Sequence, residues 1–205
     1  MRSIADIVRD LERGAALRLL GLGDSLTYGW AVERGFFDRF IDGLEKRFPR
    51  ARIERRNAGV PGDTAPGGLE RLQSLGATAS DLAVVQFGLN DCFAGVSLEA
   101  FGDALEAIGR ALLEGDCLPV MATSCPLASL HDSVRARPYY DMILSVAGRL
   151  DIPAAELDRS WEVAASRFGE PLWGPDGVHP TDAGHARMAD GLLVLFTSNE
   201  SPEEA

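Results

Sequence analysis

A serine hydroxyl attacks a carbonyl only when an adjacent base takes its proton, and neutral histidine is suited to that task near physiological pH. The chain places Ser25 in Gly23-Asp24-Ser25-Leu26-Thr27, and His179 far downstream in Asp176-Gly177-Val178-His179-Pro180. A carboxylate three positions before a histidine can meet its ring nitrogen across one turn, so Asp176 can fix the tautomer and stabilise the imidazolium. Attack on a carbonyl also turns its oxygen negative, and donors must already point at that position. These residue types therefore ask for a fold that brings the two ends of the chain together.

The elements that position them are legible as punctuation and period. Residues 17–23 form a short apolar run closing on glycines, the pattern of a buried strand that delivers the chain into a turn at Ser25. Residues 82–87 predict a second buried strand, bounded by Asp81 and Gly88 and leading into Leu89-Asn90-Asp91. Residues 51–57 alternate in part and carry charges, which predicts a strand near a sheet edge, before the loop 57–64. Residues 118–123, with Pro119 at their start, predict another strand, and residues 152–157 a last one that contains Pro153. Helical spacing of apolar residues predicts helices over residues 35–48, 97–115 and 139–150, and from the cap Thr181 through Phe196. Residues 1–13 read as an amphipathic helix.

Strand and helix thus alternate about five times with short connections, the pattern of a parallel sheet covered on both faces. The expected fold class is α/β: a three-layer α/β/α sandwich around a central, about five-stranded parallel sheet. Residues 1–197 are expected to form a single domain and residues 198–205 an acidic, frayed tail. Ligands of such sheets bind outside the carboxyl ends of the strands. Four motifs fall there: Gly23-Asp24-Ser25-Leu26-Thr27, Gly62-Asp63-Thr64, Gly88-Leu89-Asn90-Asp91 and Asp176-Gly177-Val178-His179-Pro180.

In this order and at these spacings the four motifs resemble the sequence blocks of the GDSL, or SGNH, esterase and lipase family, over nearly the whole chain. The resemblance implies the flavodoxin-like SGNH hydrolase fold and a triad of Ser25, Asp176 and His179. It implies an oxyanion hole built from the Ser25 and Gly62 backbone N–H groups and the Asn90 side-chain amide, with no metal and no cofactor. Asn57-Ala58-Gly59 offers a second glycine for that role, but Gly62 before Asp63-Thr64 matches the family pattern better. Glycine there would keep a side chain from blocking the substrate's approach to the backbone. The implied reaction is hydrolysis of a small-molecule carboxylic ester or thioester through an acyl-enzyme. The lack of a long insertion points to short- to medium-chain acyl or O-acetyl substrates.

The remaining candidates have plainer readings. His131 reads as a loop residue, His185 as a packing or surface residue of the last helix, and Cys92 as a small buried apolar residue. Asp24 and Asp91 are expected to organise their loops by accepting backbone hydrogen bonds. Trp30, Phe93, Pro126, Leu127, Tyr139 and Trp173 fall near the expected active end, either lining an acyl pocket or packing.

Two rival functions use the same residues. A metal-dependent phosphoesterase would draw ligands from Asp24, Asn90, Asp91, Asp176 and His179, but three histidines are few for such a site and the serine would lack a role. A non-catalytic small-molecule-binding α/β domain would use Gly21-x-Gly23 as a phosphate loop, yet the third glycine of that fingerprint falls on Leu26. A formal charge of -11 repels nucleic-acid phosphates, so nucleic acid is not an expected partner. No run approaches the roughly 20 apolar residues of a membrane span, so no stable membrane insertion is expected. Three cysteines without a C-x-x-C pair argue against a disulfide framework, and with no signal-peptide pattern the expected compartment is the cytoplasm. The sequence does not speak to oligomeric state.

Overall fold

The computed structural model describes residues 2–75, 80–159, 161 and 171–197. Ser3 begins the first helix with a capping box: its hydroxyl accepts from the Asp6 N–H while the Asp6 carboxylate reaches back to the Ser3 backbone. The helix, α1 (Ile4–Glu12), buries Ile7, Val8 and Leu11. The chain then enters β1 (Ala16–Gly23), whose burial becomes continuous from Leu19 onward, as a strand covered on both faces requires.

Five strands pair in parallel in the order β2-β1-β3-β4-β5, where β2 is Arg52–Gly59, β3 Leu82–Gln86, β4 Leu118–Ala122 and β5 Ala154–Ala155. This is a flavodoxin-like order, with its switch point between β1 and β3. The sequence explains who sits where. Every residue of β3 and β4 is buried, while β2 exposes Arg52, Glu54, Arg55 and Arg56 and lies at the edge, where charges oppose edge-to-edge association.

Parallel neighbours need crossovers, and the helices supply them in two layers. On one side α3 (Phe36–Arg47) packs against α8 (Asp182–Leu193), and α1 against the 3-10 turn Val194–Phe196 that follows α8. On the other, α6 (Leu98–Glu114) lies between α4 (Ala65–Leu72) and α7 (Leu130–Leu150). The core between sheet and helices is rich in phenylalanine; Phe36, Phe37, Phe40, Phe87, Phe101 and Phe196 are fully buried, and the Phe40 and Phe196 rings lie 5.3 Å apart. Two short helices follow strands: α2 (Ser25–Tyr28) after β1 and α5 (Leu89–Ala94) after β3.

Besides the short helices α2 and α5, which occupy segments expected as a turn and a loop, three elements differ from the sequence expectation. The last strand shrinks from residues 152–157 to the two residues of β5; Pro153 has no N–H to give the ladder, and its carbonyl accepts from the Met121 N–H instead. Helix α7 starts at Leu130, not Tyr139, because the Ser129 hydroxyl caps it on the Asp132 N–H and the helix continues through Pro138. His131 therefore lies in the first turn of a helix and not in a loop. Helix α4 has no counterpart in the sequence expectation, and its Pro66-Gly67-Gly68 run has low helical propensity. Thr64 caps it and Pro66 stands in its first turn, where a missing N–H costs nothing. A Cβ on Gly68 would fall 2.3 Å from the Phe87 ring, so glycine lets α4 lie against the end of β3. The acidic tail, residues 198–205, lies outside the described residues. Among the described residues no helix is long and apolar enough to cross a membrane.

Candidate active site

The first strand sets down Ser25 through a tightly packed turn. Asp24 is the N-cap of α2 and accepts from the Leu26 N–H at 2.9 Å, and Gly29 ends the helix at φ 85°. A Cβ on Gly23 would lie 2.2 Å from the Thr27 hydroxyl, so only glycine allows α2 to fold back on β1. Below the turn Gln86 of β3 is used fully: it accepts from the Thr27 hydroxyl at 2.8 Å and donates to Asp24 Oδ2 at 3.2 Å and to Ser124 Oγ at 2.9 Å. Gln86 and its three partners are all buried, and burial pushes the Asp24 carboxyl up to about 7 despite the hydrogen bonds it accepts. Ser25 sits above this network, 9% exposed. As the first residue of α2 it presents a backbone N–H that the helix does not use.

The histidine arrives on the loop before α8. Asp176 Oδ1 accepts from the Val178 and His179 backbone N–H groups, each at 2.9 Å, and its Oδ2 lies 2.7 Å from His179 Nδ1. The other ring nitrogen, Nε2, lies 3.1 Å from Ser25 Oγ, across 154 residues of sequence. Desolvation of the Asp176 carboxyl works against ionisation, but the hydrogen bonds from the His179 ring and the two amides outweigh it and hold the group at about 2. The loop is pinned on both sides. Gly174 donates to the His179 carbonyl at 2.8 Å, Ala128 donates to the Gly177 carbonyl at 2.9 Å, and the Trp173 indole donates to the Pro126 carbonyl at 2.8 Å.

Gly62 and Asn90 lie on the neighbouring loops. Val60-Pro61-Gly62-Asp63 is a turn in which the Asp63 N–H bonds back to the Val60 carbonyl at 3.1 Å and Gly62 adopts φ +82°. A Cβ on Gly62 would meet no protein atom within 4 Å, so the left-handed backbone, and not crowding by neighbours, calls for glycine there. Its N–H has no acceptor among the described residues. Gly59 is different, since a Cβ there would fall 2.2 Å from the Tyr28 nitrogen; it lets β2 pack against the serine turn. Asn90 on α5 donates one amide hydrogen to the Asp63 carbonyl at 2.9 Å, and the second has no acceptor among the described residues. Asp91 ties these loops together by accepting from the Ala65 and Gly88 N–H groups at 2.9 and 3.0 Å; burial pushes its carboxyl up to about 6.

A hydroxyl, an imidazole and a carboxylate in this chain of contacts can pass a proton and build an acyl ester. The sequence profile of the GDSL-like lipase/acylhydrolase family matches residues 22–187. The chain belongs to this GDSL family. Membership makes it a serine carboxylic ester hydrolase. The same fold recurs in the LAE5 α/β hydrolase from the metagenome of Lake Arreo, with a TM-score of 0.78 and 18% identity over 88% of this chain and 94% of that one. It recurs in the acetylxylan esterase Axe2 from Geobacillus stearothermophilus, with a TM-score of 0.77, 18% identity and the same coverage. Comparison with curated protein sequences finds no match.

The other candidates in this GDSL-family chain fall into place by burial. His185 is a packing residue: it is fully buried, stacks on Phe36 with ring centroids 6.4 Å apart, and its Nδ1 accepts from the Phe36 N–H at 3.1 Å. Burial, with Arg39 adding to it, lowers its pKa to about 4. Cys92, Cys117 and Cys125 are free and buried, and Cys125 Sγ lies 3.8 Å from the Val178 carbonyl. Trp30 and Phe93 are 47% and 43% exposed, and the Trp30 ring lies 6.3 Å from that of His179; Leu127 is buried, and the Tyr139 hydroxyl donates to the Val96 carbonyl. Among the described residues no group of three or more His, Cys, Asp or Glu side chains is arranged to hold a metal ion. Asp24 and Asp91, two of the ligands a phosphoesterase would need, spend their oxygens on Leu26, Gln86, Ala65 and Gly88. The sequence reading did not single out Gln86, Ser124 or Arg71. The available signal was a lone polar residue, Gln86, inside the apolar run of β3.

Proposed function

We propose that this GDSL-family enzyme cleaves carboxylic esters or thioesters of small molecules through an acyl-Ser25 intermediate, with His179 as general base and acid and Asp176 as its orienting carboxylate. The observation that carries the reading is the continuous contact chain, Ser25 Oγ to His179 Nε2 at 3.1 Å and His179 Nδ1 to Asp176 Oδ2 at 2.7 Å. Ser25 Oγ bonds to the carbonyl carbon as its proton passes to His179 Nε2. The tetrahedral intermediate collapses by breaking the bond to the leaving oxygen or sulfur, which takes that proton from His179. Water then repeats the sequence, and its attack releases the acid and restores Ser25. The Ser25 and Gly62 N–H groups and the second Asn90 amide hydrogen receive the oxyanion in both steps.

Short- to medium-chain acyl esters and O-acetyl esters are the expected substrates, and Axe2, described as an acetylxylan esterase, makes O-acetyl esters the first to try. Labelling with a fluorophosphonate probe, mapped by mass spectrometry, tests the mechanism. The expected adduct is on Ser25 and is lost in Ser25→Ala and His179→Ala; an active, folded enzyme that takes no label would overturn the reading. A p-nitrophenyl ester series tests the substrate range, with acetyl or butyryl expected to outrun palmitoyl.

A further inference from the structure

Arg71, on the last turn of α4, makes contacts that a surface arginine does not need. Its Nε and one terminal nitrogen donate to Asp63 Oδ2 at 2.9 and 2.6 Å, and the other terminal nitrogen donates to the Ala58 carbonyl at 3.1 Å. The guanidinium thus holds both ends of the segment that carries Gly62. Its planar fork makes this possible, with three nitrogens serving two acceptors on opposite sides; a lysine has one nitrogen for both. Asp63 passes the constraint on. Its other carboxylate oxygen accepts from the Thr64 N–H at 2.9 Å, and its carbonyl accepts the Asn90 amide at 2.9 Å. The pair is mostly shielded, with side chains 26% and 13% exposed, so solvent competes weakly for these bonds.

We infer that Arg71 and Asp63 are positioning residues that set two of the three oxyanion donors, the Gly62 N–H and the Asn90 amide, from a single ion pair. The inference rests on the proposed roles of Gly62 and Asn90. Neither Arg71 nor Asp63 touches the reacting atoms; the clamp aims groups that do. Near a transition state a misplacement of about 1 Å costs about 100-fold in rate. Loosening the clamp therefore lowers kcat and leaves ground-state binding nearly intact.

The test is a kinetic cycle on p-nitrophenyl acetate with the full chain. Arg71→Ala is expected to lower kcat about 10- to 100-fold with KM changed less than about threefold. Arg71→Lys should recover part of the loss. In an Asn90→Ala background Arg71→Ala should cost less than it does alone, because one of the two donors it aims is gone and only the Gly62 N–H is left to misplace. Inhibition by phenylboronic acid, which forms a tetrahedral adduct on serine, should weaken in parallel with kcat. If Arg71→Ala fails to fold, Asp63→Asn weakens the same clamp at constant shape and is read the same way. Unchanged kcat, a loss confined to KM, or fully additive losses with Asn90→Ala would overturn the inference while Ser25→Ala stays inactive. Full activity in Ser25→Ala would instead bring down the proposed mechanism on which it stands.

Discussion

A histidine is recruited by what surrounds it, and the three in this chain show how. His179 has a carboxylate on one nitrogen and a hydroxyl on the other; His185 has a backbone N–H on one and, among the described residues, no partner on the other; His131 lies exposed beside Asp132. Asp-x-x-His made the first legible in sequence, because three residues of a tight loop suffice to join the two side chains. Two substitutions test the roles proposed here. Asp176→Asn keeps the shape but offers the wrong tautomer partner, and kcat on p-nitrophenyl acetate is expected to fall about 10⁴-fold. Asn90→Ala removes one oxyanion donor and is expected to cost about 10²–10³-fold in kcat, or about 2.7–4 kcal/mol. Gln86 and Arg71 escaped sequence reading for one physical reason: their partners, Asp24 and Ser124 for one and Asp63 and Ala58 for the other, become neighbours only through strand pairing and crossover packing.

Elements were legible where one period dominates. β1, β3 and β4 are apolar runs between turn residues, and α3 and α6 keep a single apolar face, so their expected and observed spans agree within about two residues. α4 and the first half of α7 escaped because proline and glycine argued against helix while a capping hydroxyl and contact with the sheet decided for it. Gly59 tests how tightly one element must seat on another. In Gly59→Ala the new methyl group meets backbone atoms of Thr27 and Tyr28, which cannot swing aside as a side chain can. Stability is expected to fall by about 1–3 kcal/mol in urea unfolding. The serine turn should shift with it, lowering kcat in the protein that stays folded.

At the scale of the whole molecule, stability against pH sums groups of opposite sign. His185 is neutral in the fold and titrates at about 4 against an ordinary 6.5, so the unfolded chain binds more protons between those values. Its contribution is complete above pH 6.5 and is lost on acidification toward pH 4, on the order of 3 kcal/mol. Asp24, raised to about 7 from 3.8, does the reverse: its share is complete below pH 3.8 and is lost as pH rises through 7. Urea unfolding from pH 4 to 8 separates them. The stability of His185→Gln relative to the parent should improve toward pH 4, and that of Asp24→Asn should improve toward pH 8; flat differences would contradict both assignments. The three cysteines carry a further consequence. Cys92 lies two residues after Asn90, Cys125 lies under the His179 loop, and Cys117 immediately precedes β4 at the other end of the sheet, each with its thiol raised by burial. An alkylating reagent can reach them only when the surrounding structure opens, so their modification rates act as three local clocks. They report how often the rim that carries Ser25 and His179 breathes compared with the opposite pole of the same sheet.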